Sequence, residues 1–243
     1  MQLATIARVL GVLLMIFSLT LLVPVAVSLW FHDKNYLAFL LGFAITFSAG
    51  AGIWLPVRGS QADLRTRDGF LITALFWFVL GLFGALPLYF SLGLNLSATD
   101  AVFESLSGLT TTGATVLSGL EYLPPSILYY RHQLQWLGGI GIIVIAVAIL
   151  PLLGIGGMQL YRAEAPGPVK DNKLTPRITE TAKALFLLYL IFTLVCFLAY
   201  KLAGMSWFDA LGHSFSTVAN GGFSSYDDSL RHFESDAVLL ICT

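Results

Sequence analysis

Five stretches of apolar sequence dictate how this chain can fold. They run over Val9–Phe31, Leu37–Val57, Phe70–Phe90, Ile127–Leu153 and Leu185–Leu202, and a sixth begins at Ala237–Thr243. Each of the five is about the length a helix needs to cross ~30 Å of hydrocarbon. In that medium a helix satisfies its backbone groups internally. Composition agrees. Of the 243 residues, 57% are hydrophobic and 11% charged, whereas soluble domains carry about 25% charged residues. Mean hydropathy is +0.82. One soluble core of this size has no room for so much apolar surface. The expected class is an all-α polytopic membrane protein. Val9–Phe31 is long for a secretory leader and is followed at once by another span, so it reads as a retained helix. A net charge of −1 offers no basic surface for nucleic acid. Cys196 and Cys242 lie in apolar runs and read as buried, inert thiols.

The polar joints suggest an orientation. With the N-terminus in the cytoplasm, the inner segments are Met1–Arg8, Arg58–Gly69 and roughly Gly154–Ala184. They hold nine of the thirteen basic residues: Arg8, Arg58, Arg65, Arg67, Arg162, Lys170, Lys173, Arg177 and Lys183. The positive-inside rule favours this arrangement. The outer segments then hold the bases Lys34, Arg131, Lys201 and Arg231. They also hold nine of fourteen acids: Asp33, Asp100, Glu104, Glu121, Asp209, Asp227, Asp228, Glu234 and Asp236. A negative outer face would concentrate cations near an entrance.

Two outer segments, Ser91–Tyr130 and Ala203–Asp236, are too long for tight connections and too apolar for plain solvent loops. A shift of 109 residues aligns them. Ser97, Asp100, Ala101, Ser105, Ser107 and Gly113 fall on Ser206, Asp209, Ala210, Ser214, Ser216 and Gly222, six identities in seventeen positions. Both copies open on Ser-x-x-Asp, a helix-start pattern in which the serine caps a free N–H and the acid opposes the helix dipole. Helices over Ser97–Leu109 and Ser206–Val218 would reach only ~20 Å at 1.5 Å per residue. Entering from outside, each would stop partway, its C-terminal carbonyls facing inward and favouring a cation.

Polar stretches follow: Thr110-Thr111-Thr112-Gly113 after the first short helix, and Ala219-Asn220-Gly221-Gly222 after the second. A potassium filter replaces the ion's water with backbone carbonyls. It needs glycine where torsions are unusual, and its non-helical backbone must be buried in protein or line a water-filled path. Taken singly, Thr110–Gly113 also fits a surface turn, and Asn220-Gly221 fits a hairpin turn. Their pairing at one offset, each after a half-length helix, favours the filter.

At these residues the chain resembles the Trk/Ktr/HKT superfamily of potassium transporters, in its bacterial TrkH/TrkG branch. The resemblance is most specific at Gly108–Thr115, Trp136–Ile143, Gln159–Pro166 and Ser216–Ser224. It implies K+-channel-like helix–pore-loop–helix repeats with half-membrane pore helices, and two extra N-terminal helices. Residues 1–57 would be the extra pair, 70–154 the first repeat, 155–178 a cytoplasmic linker and 179–243 a truncated second repeat. It places the K+ filter on Thr110, Thr111, Thr112, Gly113, Ala219, Asn220, Gly221 and Gly222, with the second loop's register defined to within one residue. A ring needs four repeats, so the chain reads as about half of a transporter. The resemblance also implies a location in the bacterial inner membrane, a homodimer and a cytoplasmic nucleotide-binding regulatory ring of the TrkA type. For that ring Arg162–Lys183 is a plausible docking face, or equally a basic loop facing lipid headgroups. Whether ions pass passively or by symport with protons or sodium stays open.

Other chemistry is weakly signalled. Gly154-Ile-Gly-Gly157 lacks the strand–helix context of a dinucleotide site. Gly138, Gly139 and Gly141 suit close helix approach. His32, His132, His213 and His232 lack metal-ligand spacing. Asp100 and Asp209 read as caps. A membrane-embedded enzyme and a non-conducting scaffold are the rival classes, but no convincing nucleophile–base pair is visible. No organic cofactor is expected.

Overall fold

The computed structural model describes residues 2–59, 66–149 and 174–242, in which every regular element is helical, with no strand among them. Helices α1 (Leu3–Thr20) and α2 (Leu22–Phe31) form one apolar run of 29 residues. It starts before the expected Val9, because a helix can extend past its apolar stripe into polar residues. Its break at Leu21 has a cause three residues on. Pro24 has no N–H for the carbonyl of Thr20, and its ring crowds that turn. The Leu21 amide turns back to the Ser18 carbonyl at 3.0 Å.

Helix α3 (Tyr36–Trp54) runs into a 3₁₀ turn over Leu55–Val57. It crosses α1 where Gly11 meets Gly50. A Cβ on either glycine would stand 2.8 Å from the other's carbonyl oxygen, so only glycine permits the approach. Helix α4 (Thr66–Phe90) carries Pro87 opposite Gly42 of α3. After it come the short α5 (Ala98–Leu109), then α6 (Pro125–Ile149), α7 (Leu174–Leu202), the short α8 (Trp207–Val218) and α9 (Asp236–Cys242).

Among the described residues, Leu3–Phe31, Tyr36–Val57, Leu71–Phe90 and Glu180–Leu202 are long and apolar enough to cross a membrane. The last is only 17% buried. Side chains such as Phe192 and Leu194 are therefore left to an apolar surrounding. The Gly154–Gly157 and Gln159–Pro166 segments, with Arg65, Arg162, Lys170 and Lys173, lie outside the described residues. Cys196 is buried as expected; Cys242 is exposed instead, because α9 packs inward mainly through Val238.

One apolar core joins the N-terminal pair to the first short helix and its flanks. It contains Leu14, Phe17, Phe39, Leu88, Leu109 and Tyr130. A second core around Tyr200, Met205 and Ala210 holds α7 to α8. Helix α6 connects them. Its Trp136 stacks on Phe215 of α8 at 5.0 Å, and the Trp136 ring N–H donates to Thr193 of α7 at 3.1 Å.

Polar pins fix the ends. The Asp33 carboxylate accepts the Ser126 amide at 2.9 Å, capping the start of α6 where the helix dipole favours an anion. Burial pushes the Asp33 carboxyl up, but hydrogen bonds from Ser28, Ser126 and Asn35 outweigh it and hold its pKa below the ordinary value. Asn35 accepts from the Ser91 hydroxyl at 2.8 Å and the Leu92 amide at 3.0 Å, tying α3 to the end of α4.

The Gly11–Gly50 crossing yields a prediction. Gly50→Leu should cost about 1–3 kcal/mol by overpacking, read as a lower melting temperature of the detergent-solubilised protein. Gly52→Leu, at a position with nothing within 4 Å, should leave it nearly unchanged.

Candidate functional site

The two short helices are built alike. Each is 12 residues long, about 18 Å at 1.5 Å per residue. The Ser97 and Ser206 hydroxyls accept the Asp100 and Asp209 amides at 3.1 and 3.0 Å. Each hydroxyl also donates to that aspartate's own carboxylate, at 2.7 and 2.6 Å. The acid thus answers the serine side chain instead of its backbone N–H.

Both helices end in the same left-handed cap. The amides of Thr111 and Thr112 return to the carbonyls of Gly108 and Ser107 at 3.0 and 2.9 Å. Those of Asn220 and Gly221 return to Thr217 and Ser216 at 3.0 and 2.8 Å. This is the two-bond Schellman pattern, with Thr111 (φ 57°) and Asn220 (φ 52°) at the left-handed position. Asparagine tolerates that conformation. A β-branched threonine there is a genuine outlier, of the kind that clusters at functional sites. Gly113 (φ 76°) and Gly222 (φ 80°) add a second left-handed residue to each loop, while Thr112 and Gly221 between them do not turn positive. Asn220-Gly221 is therefore a helix cap and not a hairpin turn.

The loops touch. A Cβ on Gly113 would collide with the Gly221 carbonyl oxygen, and one on Gly221 would collide with the Gln135 side-chain amide. Gly138 of α6 lets the Leu109 carbonyl, at the end of α5, lie directly against it. Thr110 and Thr112 share a hydroxyl hydrogen bond of 2.8 Å, and Thr110 also donates to the Leu106 carbonyl at 2.8 Å. Of the eight expected site residues, Thr110–Gly113 and Ala219–Gly222 therefore form two neighbouring loops with matching torsions.

Behind them lies a polar frame that was not foreseen from the sequence. The Glu104 carboxylate of α5 accepts the Thr115 hydroxyl at 2.9 Å and the Val116 amide at 3.1 Å. It also pairs with Arg131 of α6, Nε to Oε1 2.7 Å, with both side chains fully buried. At the matching position of the second copy stands His213, whose Nε2 lies 3.1 Å from the Ser224 hydroxyl. Thr115 and Ser224 occupy matching positions too, so the same brace recurs with different chemistry. One turn along α6, Gln135 accepts from the Ser216 hydroxyl at 2.7 Å and the Phe223 amide at 3.2 Å.

This frame removes two residues from the acids read as lying on an outer face. Glu104 is consumed in a buried pair and Asp209 is a buried cap, leaving Glu121, Asp227, Asp228, Glu234 and Asp236 exposed. A detectable signal existed: a lone acid and a lone base inside apolar helical sequence imply a partner. Among the described residues no cluster of three metal-ligating side chains occurs. His132 and His213 face each other at 5.3 Å between ring centres and bond to Ser225 and Ser224.

A strap closes the polar end. Asp227, beyond the second loop, accepts the Gly119 and Leu120 amides beyond the first, at 2.7 and 3.0 Å. The Leu120 and then the Gly119 backbone N–H hold its carboxyl below the ordinary range.

The chain as a whole is similar to known proteins. A family model described as TrkH, a cation transport protein, matches residues 36–243. The chain is 63% identical over 243 residues to the Trk system potassium uptake protein TrkH of Halomonas elongata, covering 100% of this chain and 50% of that protein. It is 55% identical over 238 residues to the protein of the same name from Escherichia coli K12, covering 98% and 49%. It also matches the crystal structure of the potassium transporter TrkH from Vibrio parahaemolyticus. The TM-score is 0.88 at 50% identity, over 100% of this chain and 48% of that one. The chain thus spans about half the length of the curated relatives it matches.

The strap gives a pH prediction. A carboxyl with a lowered pKa contributes stability above its unfolded value and loses it as pH falls through the folded one. Limited proteolysis within Leu117–Glu121 and Tyr226–Asp228 should therefore accelerate below about pH 4. Asp227→Asn should be cut faster at neutral pH and lose that acid dependence.

Proposed function

The chain belongs to the TrkH family of cation transport proteins, and on that footing we propose that it supplies half of a potassium-uptake pathway across the bacterial inner membrane. The filter lies at Thr110–Gly113 and Ala219–Gly222, and the remainder of the full-length protein completes the ring. Residues 70–154 and 179–243 serve as its first two repeats, residues 1–57 as the extra helical pair and residues 155–178 as the linker. The N-terminus is cytoplasmic. A homodimer and a nucleotide-binding regulatory ring are the proposed partners.

One observation carries this reading: two loops share a backbone conformation at one offset and meet through Gly113 and Gly221. Left-handed and ordinary torsions alternate along each loop. The amides of Thr111 and Thr112, and of Asn220 and Gly221, turn back onto carbonyls of their own helix, so across each trans peptide the carbonyls of Thr110 and Thr111, and of Ala219 and Asn220, point the opposite way. Carbonyls so directed can replace a cation's hydration shell. The loops contain no charged side chain, so selection rests on neutral dipoles. The carbonyl ends of α5 and α8 add partial negative charge beneath them.

The enzyme reading has one observation in its favour, the His213–Ser224 hydrogen bond. Ser224 is 5% exposed. The adjacent cavity of about 200 Å³ is lined by His213, Ser216, Thr217 and Asn220 but not by Ser224. The same contact recurs as Glu104–Thr115. A repeated brace accounts for it better than a nucleophile–base pair, and we assign no enzymatic role.

In the full-length protein, Gly113→Ser and Gly222→Ser should each lower potassium-over-sodium discrimination. At Gly113 the added side chain meets the Gly221 carbonyl. At Gly222 the left-handed backbone alone disfavours it, by about 1–2 kcal/mol. Flux of both ions into proteoliposomes is the measurement, and unchanged selectivity in both variants would refute the filter.

A further inference from the structure

We infer that Arg131 is a positioning residue for ion selection, whose guanidinium locks the two loops at a fixed spacing. The inference rests on the filter reading and adds a residue outside the loops.

The Arg131 side chain is fully buried. Its Nε donates to Glu104 at 2.7 Å and its Nη2 to the Thr115 hydroxyl at 3.1 Å. Its Nη1 donates to the Ser224 carbonyl at 2.9 Å, and the guanidinium lies 4.2 Å from the Phe223 ring centre. Glu104 and Thr115 frame the first loop; Ser224 and Phe223 belong to the second. Thr115 and Ser224 each stand two residues past their loop glycine, Gly113 or Gly222. One planar fork therefore fixes how far apart the chain leaves the two loops.

The fork is not a repeated scaffold element. The residue 109 positions after Arg131 is Leu240. Among the described residues the Arg131 clamp thus has no counterpart at the matching position, and it acts closer to the loops than the Asp227 strap does. A carbonyl cage that separates ions of equal charge by size and field depends on its spacing. Lysine would keep the charge but offers a compact ammonium in place of the rigid fork, so it cannot serve all three acceptors at their present positions.

The test uses the full-length protein in proteoliposomes, with potassium and sodium flux measured beside folded yield by size exclusion. Arg131→Lys should fold and lose about tenfold in potassium-over-sodium selectivity, the scale of one hydrogen bond to a charged group. Thr115→Val, nearly isosteric, should lose about threefold, while Thr115→Ser, which keeps the hydroxyl, should retain wild-type selectivity. Folded Arg131→Lys with wild-type selectivity overturns the inference. Should Arg131→Lys not fold, Thr115→Val decides: reduced selectivity supports the inference, whereas wild-type selectivity overturns it. A Thr115→Val protein that fails to fold also overturns it, because the hydroxyl would then serve stability alone. Gly113→Ser separates the two readings. If it loses selectivity while Arg131→Lys and Thr115→Val keep it, only the role of Arg131 falls; if it and Gly222→Ser both keep selectivity as well, the filter falls with it.

Discussion

The buried pair between Glu104 and Arg131 organises everything around it. Two charges taken from water carry a desolvation penalty of several kcal/mol per ion, and removing one partner of such a pair costs about 3–5 kcal/mol. The pair persists because its remaining hydrogen-bonding groups are used: Glu104 by Thr115 and Val116, Arg131 by Thr115 and Ser224. Each of those contacts holds a point where the chain leaves one of the loops. A group that must be satisfied in a low-dielectric interior thus becomes the device that sets non-helical backbone in place. The pair is also neutral overall, so it braces the loops without adding net charge beside them.

Around this frame, close packing depends on missing side chains. Gly138 admits the end of α5, Gly139 admits the Tyr189 hydroxyl of α7, and Gly141 lies against Phe76 and Trp77 of α4. One turn of α6 therefore meets three elements where side chains are missing. In an apolar solvent, helix association gains from such packing and not from hydrophobic burial. The second copy solves the same problem differently. His213 replaces Glu104 at the brace, Asn220 replaces Thr111 at the left-handed cap, and Leu240 stands at the position matching Arg131. Backbone conformation is repeated while the supporting chemistry is not.

Much of this was legible in particular residues. Ser97 and Ser206, with their aspartates three residues on, marked two helix starts that the structure places where expected, because a cap is made by neighbours in sequence. Gly113 and Gly222 marked left-handed backbone for the same local reason. The glycines of α6 were rightly read as sites of close approach. That Glu104 and Arg131 each need a partner was detectable from their apolar setting, but that they pair with each other was not legible. The two residues are 27 positions apart on different helices, and each alone looked like a loop charge. The exposure of Cys242 was hidden too, since apolar sequence does not say which side of a short helix is covered.

The sequence by itself determined the all-helical membrane class, the half-length helices, their caps and the matched offset of the loops. These follow from hydrophobic length and from hydrogen bonds spanning a few residues. Only the tertiary structure decided that the loops touch through Gly113 and Gly221, that Gln135 and Arg131 stand behind them, and that the frame is assembled from α5, α6 and α8. The reason is physical. Burial of a charge or an amide is tolerated only where partners converge from separate elements, and that convergence exists only once the helices have packed.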